Sequence, residues 1–257
     1  MIETLHAEWT KLRTVASSGW LLLTTIVLTV GVGAIGTDVV KCPASCGIDT
    51  TKMSLTGIVL GQAAVAGLAV MFVTGEYTTG MVRTTLTAIP RRSVMVAAKA
   101  VVLSAVIAAA GLVSVLGSLL AGRIFLPGNG YTAARGFAAL SLLHGPTLRA
   151  AAGSVLYLVL IGLLGLGLGL ALRSAAAATT VVLGLLYVLS FLGDIPLSTI
   201  WQHRIERWTP MDAGLAIQGT RDVAGQVIQP WAGLGVCALW AAAALLAGWL
   251  VLRLRDA

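Results

Sequence analysis

The sequence predicts an all-α membrane protein with six transmembrane helices. Six stretches run 20 or more residues without Asp, Glu, Lys or Arg, and charges stand at their borders. A helix needs roughly 20 apolar residues to cross the ~30 Å hydrocarbon core. Only a helix or a closed barrel satisfies its own backbone there. These runs are too long for barrel strands and lack their apolar–polar alternation. Composition agrees: 58% of residues are hydrophobic and 11% charged, against about 25% charged in a soluble domain.

The elements follow in order. Ile2, Leu5, Trp9, Leu12 and Ala16 recur at spacings of three and four, with Glu3, Glu8 and Lys11 on other faces. Residues 1–17 are therefore expected to form an amphipathic helix lying at the headgroup boundary. The first span, 18–37, follows Lys11 and Arg13 and is longer than a signal-peptide core, so it reads as an uncleaved helix. The first loop holds Cys42 and Cys46, which could be joined as a disulfide or stand as two thiols. No nearby His completes a metal site.

The second span, 54–75, is rich in small residues (Gly57, Gly61, Ala64, Gly67) that let helices approach closely in lipid. Gln62 within it needs an interhelical hydrogen-bond partner or a place on a cavity wall. Next comes a short amphipathic segment, 76–92, which mixes Met81, Val82, Leu86 and Ile89 with Glu76 and Arg83. Pro90 stops a helix at or before Ile89, and Arg91 and Arg92 follow. The third span is 98–121, with Lys99 at its start. Pro127–Gly128–Asn129–Gly130 then marks a turn. The apolar stretch 136–148 contains His144, Gly145 and Pro146 and is too short to cross.

Spans four and five, 150–172 and 175–193, are joined by a tight turn at Arg173. Gly162, Gly165, Gly167 and Gly169 lie inside span four. They follow no strand, so they read as packing positions and not as a nucleotide loop. The segment 194–229 carries Trp201 and Trp208 and is expected to form short helices that touch or re-enter the membrane. His203 and Glu206 within it read as a solvated turn. The last span is 230–252, where Cys237 serves as a small apolar residue.

Charge and motifs narrow the function. The net charge of +7 suits flanks that meet anionic lipid, and no basic-aromatic module points to nucleic acid. Six spans put both termini on one side. Lys11, Arg13, Arg83, Arg91, Arg92, Lys99, Arg173, Arg253 and Arg255 then share that side. Lys41, Lys52, Arg123, Arg135, Arg149, Arg204, Arg207 and Arg221 share the other. The first set sits in much shorter segments, which places both termini in the cytoplasm. Four lysines against thirteen arginines, with abundant Ala and Gly, suit a GC-rich bacterial genome and a bacterial plasma membrane.

The chain has no phosphate-binding loop, no H-E-x-x-H and no G-x-S-x-G. Catalytic residues, metal and cofactor are therefore not expected in this chain. The spans offer no obvious buried ionisable groups, which argues against proton- or ion-driven transport and intramembrane catalysis.

Three motifs resemble the permease subunit of the type-2 ABC transporter family, the bacterial exporter class with separate ATPase chains. They are His6-Ala7-Glu8-Trp9-Thr10-Lys11-Leu12-Arg13, the run Gly75-Glu76-Tyr77-Thr78-Thr79-Gly80-Met81-Val82-Arg83-Thr84-Thr85-Leu86, and Gly162 to Gly169 closing on Arg173. The resemblance implies the type-2 exporter fold, with re-entrant helices before the last span. It also implies a second permease copy or a related permease, two ABC ATPase subunits, and ATP with magnesium on those subunits. It maps the coupling helix onto 76–92, with Glu76, Tyr77, Arg83, Pro90, Arg91 and Arg92 as coupling candidates. Gln62, Met71, Phe72, Tyr187 and Phe191 are candidates for a cavity lining. An apolar cavity would suit a hydrophobic or amphiphilic cargo such as an antibiotic, peptide or lipid. The rival reading is a non-transporting membrane sensor or scaffold.

Overall fold

The computed structural model describes residues 2–42, 46–78, 80–81, 92–132, 137, 140–194 and 199–255. No strand occurs among them. Six helices are long and apolar enough to cross a membrane. The short N-terminal helix α1 (Ile2–Thr14) leads through Val15 into the first of these, α2 (Ala16–Val39). A single-turn helix α3 (Thr50–Ser54) precedes α4 (Ile58–Thr78). Two long helices follow, α5 (Arg92–Gly128) and α6 (Gly145–Leu172). The fifth crossing is α7 (Ala175–Leu183), a π-helical turn (Gly184–Val188) and α8 (Leu189–Asp194). Two short helices, α9 (Thr199–Trp208) and α10 (Pro210–Leu215), lead to the last crossing, α11 (Pro230–Arg255).

The crossings match the apolar runs, but their ends differ from expectation. Helix α5 begins six residues before the expected 98 and continues past 121 to Gly128, because no turn residue interrupts it until Pro127–Gly128. The residues His144-Gly145-Pro146 are not part of a separate surface element. Pro146 stands in the first turn of α6, where its missing N–H costs nothing.

Small residues bring the helices together. Gly165 and Gly169 face α4, within ordinary or tight contact of Ala66, Ala69 and Val70. Gly167 points the other way: a Cβ there would meet the Ala244 carbonyl carbon of α11 at 2.4 Å. Gly57 and Gly61 bring α4 against Thr29 of α2. Without a hydrophobic force between helices in lipid, such close backbone approach is a main source of association.

Helix α10 wedges into this bundle. Its Gly214 lies under the Tyr157 ring of α6, and Ile217, just beyond α10, sits over Gly153. Ala213 and Ile217 are fully buried. The chain between the fifth and sixth of these helices thus packs α10 against α6 and α11; residues 195–198 lie outside the described set.

Substituting Gly167→Leu is expected to force α6 and α11 apart and cost about 1–3 kcal/mol or more, the range for overpacking. Thermal unfolding in mild detergent should show the loss, whereas Gly67→Leu, with no described atom within 4 Å of its Cβ position, should leave the transition in place.

Candidate functional site

The end of the bundle that carries both chain termini holds a cluster of four charges. Lys99, on the first turns of α5, is 1% exposed, as is Glu8 of α1. The Lys99 ammonium donates to Glu8 Oε2 at 2.7 Å and to Glu76 Oε1 at 2.6 Å. Lys11, one turn beyond Glu8, donates to Glu8 Oε1 at 3.2 Å and to Glu76 Oε1 at 2.9 Å. Lys99 also lies 4.9 Å from the centre of the Phe72 ring, a cation–π geometry. Two cations and two anions close on each other, so burial leaves no net charge. Burial opposes the charge on Lys11, but hydrogen bonds and attraction from Glu76 and then Glu8 prevail and raise its pKa.

This overturns the expectation that the apolar crossings bury no ionisable groups: Lys99 and Glu76 both stand within crossing helices. The reason lies in neutralisation across helices, which a reading of each run by itself does not reveal. The premise used against ion-coupled transport therefore fails. What remains is that the four charges sit at helix ends and are spent on one another.

The cluster also sets which side of α1 meets the bundle. Its buried side is Thr4, Glu8 and Leu12, while Trp9 is 48% exposed and Ala16 is exposed. Trp9 faces outward, and the bundle receives Glu8 together with Leu12 of the apolar stripe. Glu76 is buried as well, so it offers no free carboxylate to a docking partner. Tyr77 lies with its ring 5.5 Å from the guanidinium of Arg173. Arg173 occupies the left-handed turn between α6 and α7 at φ 56° and donates to the Val251 carbonyl. Arg92 donates to the Leu252 and Arg253 carbonyls at 2.7 and 3.2 Å, where a helix end leaves carbonyls without intrahelical partners. Arg83, Pro90 and Arg91 lie outside the described residues.

The five cavity candidates do not come together. Gln62 is fully buried. It accepts from the Tyr157 hydroxyl and donates to Met211 Sδ at 3.0 Å, joining α4, α6 and α10. Tyr187, on the π turn, donates to the Val59 carbonyl, and Phe191 is 67% exposed on the outside of the bundle. Met71 and Phe72 alone line a common cleft, of about 360 Å³, between α1, α2 and α4 beside the charge cluster.

At the opposite end Cys42 and Cys46 form a disulfide. Asp49, three residues on, caps α3 through the Thr51 and Lys52 amides. It also accepts from the Thr220 amide, the Thr220 hydroxyl at 2.7 Å and the Arg221 amide at 3.0 Å. Burial pushes its pKa up, but the Thr220 and Arg221 bonds outweigh that and hold it below the usual value. One carboxylate thus straps the first loop to the chain before α11. Sequence reading missed Glu8, Lys11, Lys99 and Asp49. The available signal was scarcity: Glu3, Glu8, Glu76 and Asp256 are the only acids on an end with nine cations.

No protein-family model matches the chain, and no curated protein matches it. The assignment of function therefore rests on the residues.

Two outcomes test this geometry. Lys99→Met leaves two buried carboxylates with Lys11 alone and should cost about 3–5 kcal/mol, the range for breaking a buried pair; adding Glu8→Gln should return part of it in the same thermal unfolding assay. Asp49→Ala should lower stability at neutral pH by about 1–3 kcal/mol, as for loss of a cap and of charge-assisted bonds. Because the folded pKa is depressed, that contribution is present above the ordinary Asp range and fades as pH falls through the folded value. The gap between wild type and Asp49→Ala should therefore close under strong acid.

Proposed function

We propose that this chain is the membrane permease subunit of an ATP-driven exporter of the type-2 ABC class, with both termini cytoplasmic. The observation that carries the reading is how the segment 76–92 is anchored. At its start, Glu76 is held by Lys99 and Lys11, and Tyr77 stacks on Arg173. At its end, Arg92 holds the last turns of α11. A push on this segment from a soluble partner would thus reach α1, α4, α5, the α6–α7 turn and α11 together. Amphipathic cytoplasmic helices seat in grooves on such partners, and Met81, Val82, Leu86 and Ile89 supply the apolar side.

In this reading two ATPase chains carry ATP and magnesium, and this chain hydrolyses nothing. ATP binding closes the ATPases, the coupling segments move, and the crossings of two permease chains alternate between inward and outward access. The cargo is a hydrophobic or amphiphilic compound. Here Glu76 and Arg92 act as anchors that transmit motion, and Arg83 and Arg91 meet the partner.

Purification from the native host in mild detergent, followed by mass spectrometry, tests the reading. A stoichiometric partner bearing a nucleotide-binding loop is expected, and Arg83→Ala should reduce its ATP turnover in the complex several-fold with the complex intact. ATP turnover by this chain alone, or its recovery without an ATPase under conditions that preserve such complexes, would move the sensor or scaffold reading ahead.

A further inference from the structure

A cavity of about 220 Å³ opens beside the last turns of α5, at the end of the bundle away from the chain termini. Its apolar lining includes Leu126, Pro127 and Leu140, and its polar lining is Arg123, Tyr131 and Thr50 at the start of α3. No carboxylate lines it among the described residues. Asp49, next to Thr50, is spent on Thr220 and Arg221.

The polar groups of this cavity have no task inside the protein. Tyr131 is 5% exposed, and its buried hydroxyl has no hydrogen-bond partner, a state that folded proteins nearly always avoid. The ring packs edge-on against Phe137 with centroids 5.0 Å apart, so packing places Tyr131 without help from the hydroxyl. Arg123 has neither a hydrogen bond nor an ion pair among the described residues. Nor does α5 need it as a cap. The Asn129 and Tyr131 amides donate to the Leu126 carbonyl, and the Gly130 amide donates to that of Pro127. The Thr50 hydroxyl is likewise unpaired.

Arginine only donates, whereas tyrosine and threonine hydroxyls can donate or accept. The set therefore fixes the polarity of an occupant: it accepts hydrogen bonds and carries negative charge. The volume of about 220 Å³ lies below the range for drug-sized ligands and matches a group of a few heavy atoms.

We propose that this cavity binds a phosphate group, with Arg123 as its ion-pair partner and the Tyr131 hydroxyl as its buried donor. Arginine recognises phosphate through paired donors. Helix α5 is 37 residues long, about 55 Å at the helical rise, against ~30 Å of hydrocarbon. Its last turns therefore reach the headgroup layer, where the phosphate of a lipid headgroup and free phosphate in solution both have access. The proposal needs no ATPase partner and stands apart from the exporter reading.

The test is thermal unfolding of the full chain, delipidated in mild non-ionic detergent. One arm compares millimolar sodium phosphate with sodium chloride at equal ionic strength. The other compares micelles carrying phosphatidylglycerol with micelles carrying uncharged diacylglycerol. Wild type should melt at least about 3 °C higher in one arm. A shift in the first arm identifies free phosphate as the source, and a shift in the second alone identifies the lipid headgroup. Arg123→Gln should lose the shift. Tyr131→Phe keeps the ring and removes only an unpaired hydroxyl, so without phosphate it should melt at the wild-type temperature or above, and it should lose the shift too. No shift of wild type in either arm, or the full shift in both variants, would overturn the proposal. A lower melting temperature of Tyr131→Phe without phosphate would also overturn it, because the hydroxyl would then serve the protein itself.

Discussion

Four charges in one buried cluster govern the terminal end of this bundle. Taking a carboxylate or an ammonium out of water costs several kcal/mol per ion unless partners and hydrogen bonds replace the solvent. Glu8, Lys11, Glu76 and Lys99 supply those partners for one another. They come from three separate helices, so the full set of pairs forms only when all three are in place. Helix α1 is 13 residues long, a length at which isolated helices are marginal in water. It brings Glu8 and Lys11 into the cluster, and its position follows from that.

The rest of the fold obeys a similar rule with weaker interactions. At the ends of α2 and α11, polar side chains from a neighbouring segment complete the helix. Asn129 donates to the Thr37 and Asp38 carbonyls at the end of α2, and Arg92 and Arg173 serve the end of α11. Within the apolar layer, Gln62 and Tyr157 satisfy each other, while glycines set how near the backbones come. The two ends differ in rigidity of design. One is strapped by a disulfide and by Asp49, the other by ion pairs.

The six crossings were legible because length and hydropathy alone decide whether a helix can span a bilayer. The small-residue surfaces were legible for a similar reason: Gly165 and Gly169 stand four apart and therefore share a face. Other features depend on what lies across from a residue, and spacing within a run carries no such information. Lys99 reads as a border charge until Glu8, 91 residues away, is placed beside it. Glu8 reads as one of the polar residues off the apolar stripe of α1, yet the bundle offers Lys99 and takes its carboxylate. Gln62 needs a partner that its own run does not contain, and Tyr157, 95 residues away, supplies it.

The most direct test of this account follows amide hydrogen exchange along α1 in the wild type and in Glu8→Ala. That variant removes the buried Glu8–Lys99 link of α1 and keeps the Glu76–Lys99 and Glu76–Lys11 pairs. The account predicts protection of α1 in the wild type and a loss of at least about ten-fold in the variant, with α4 and α5 unchanged. Equal exchange of α1 in both proteins would contradict it, and would mean that the membrane surface or Leu12 packing holds the helix without the ion pairs.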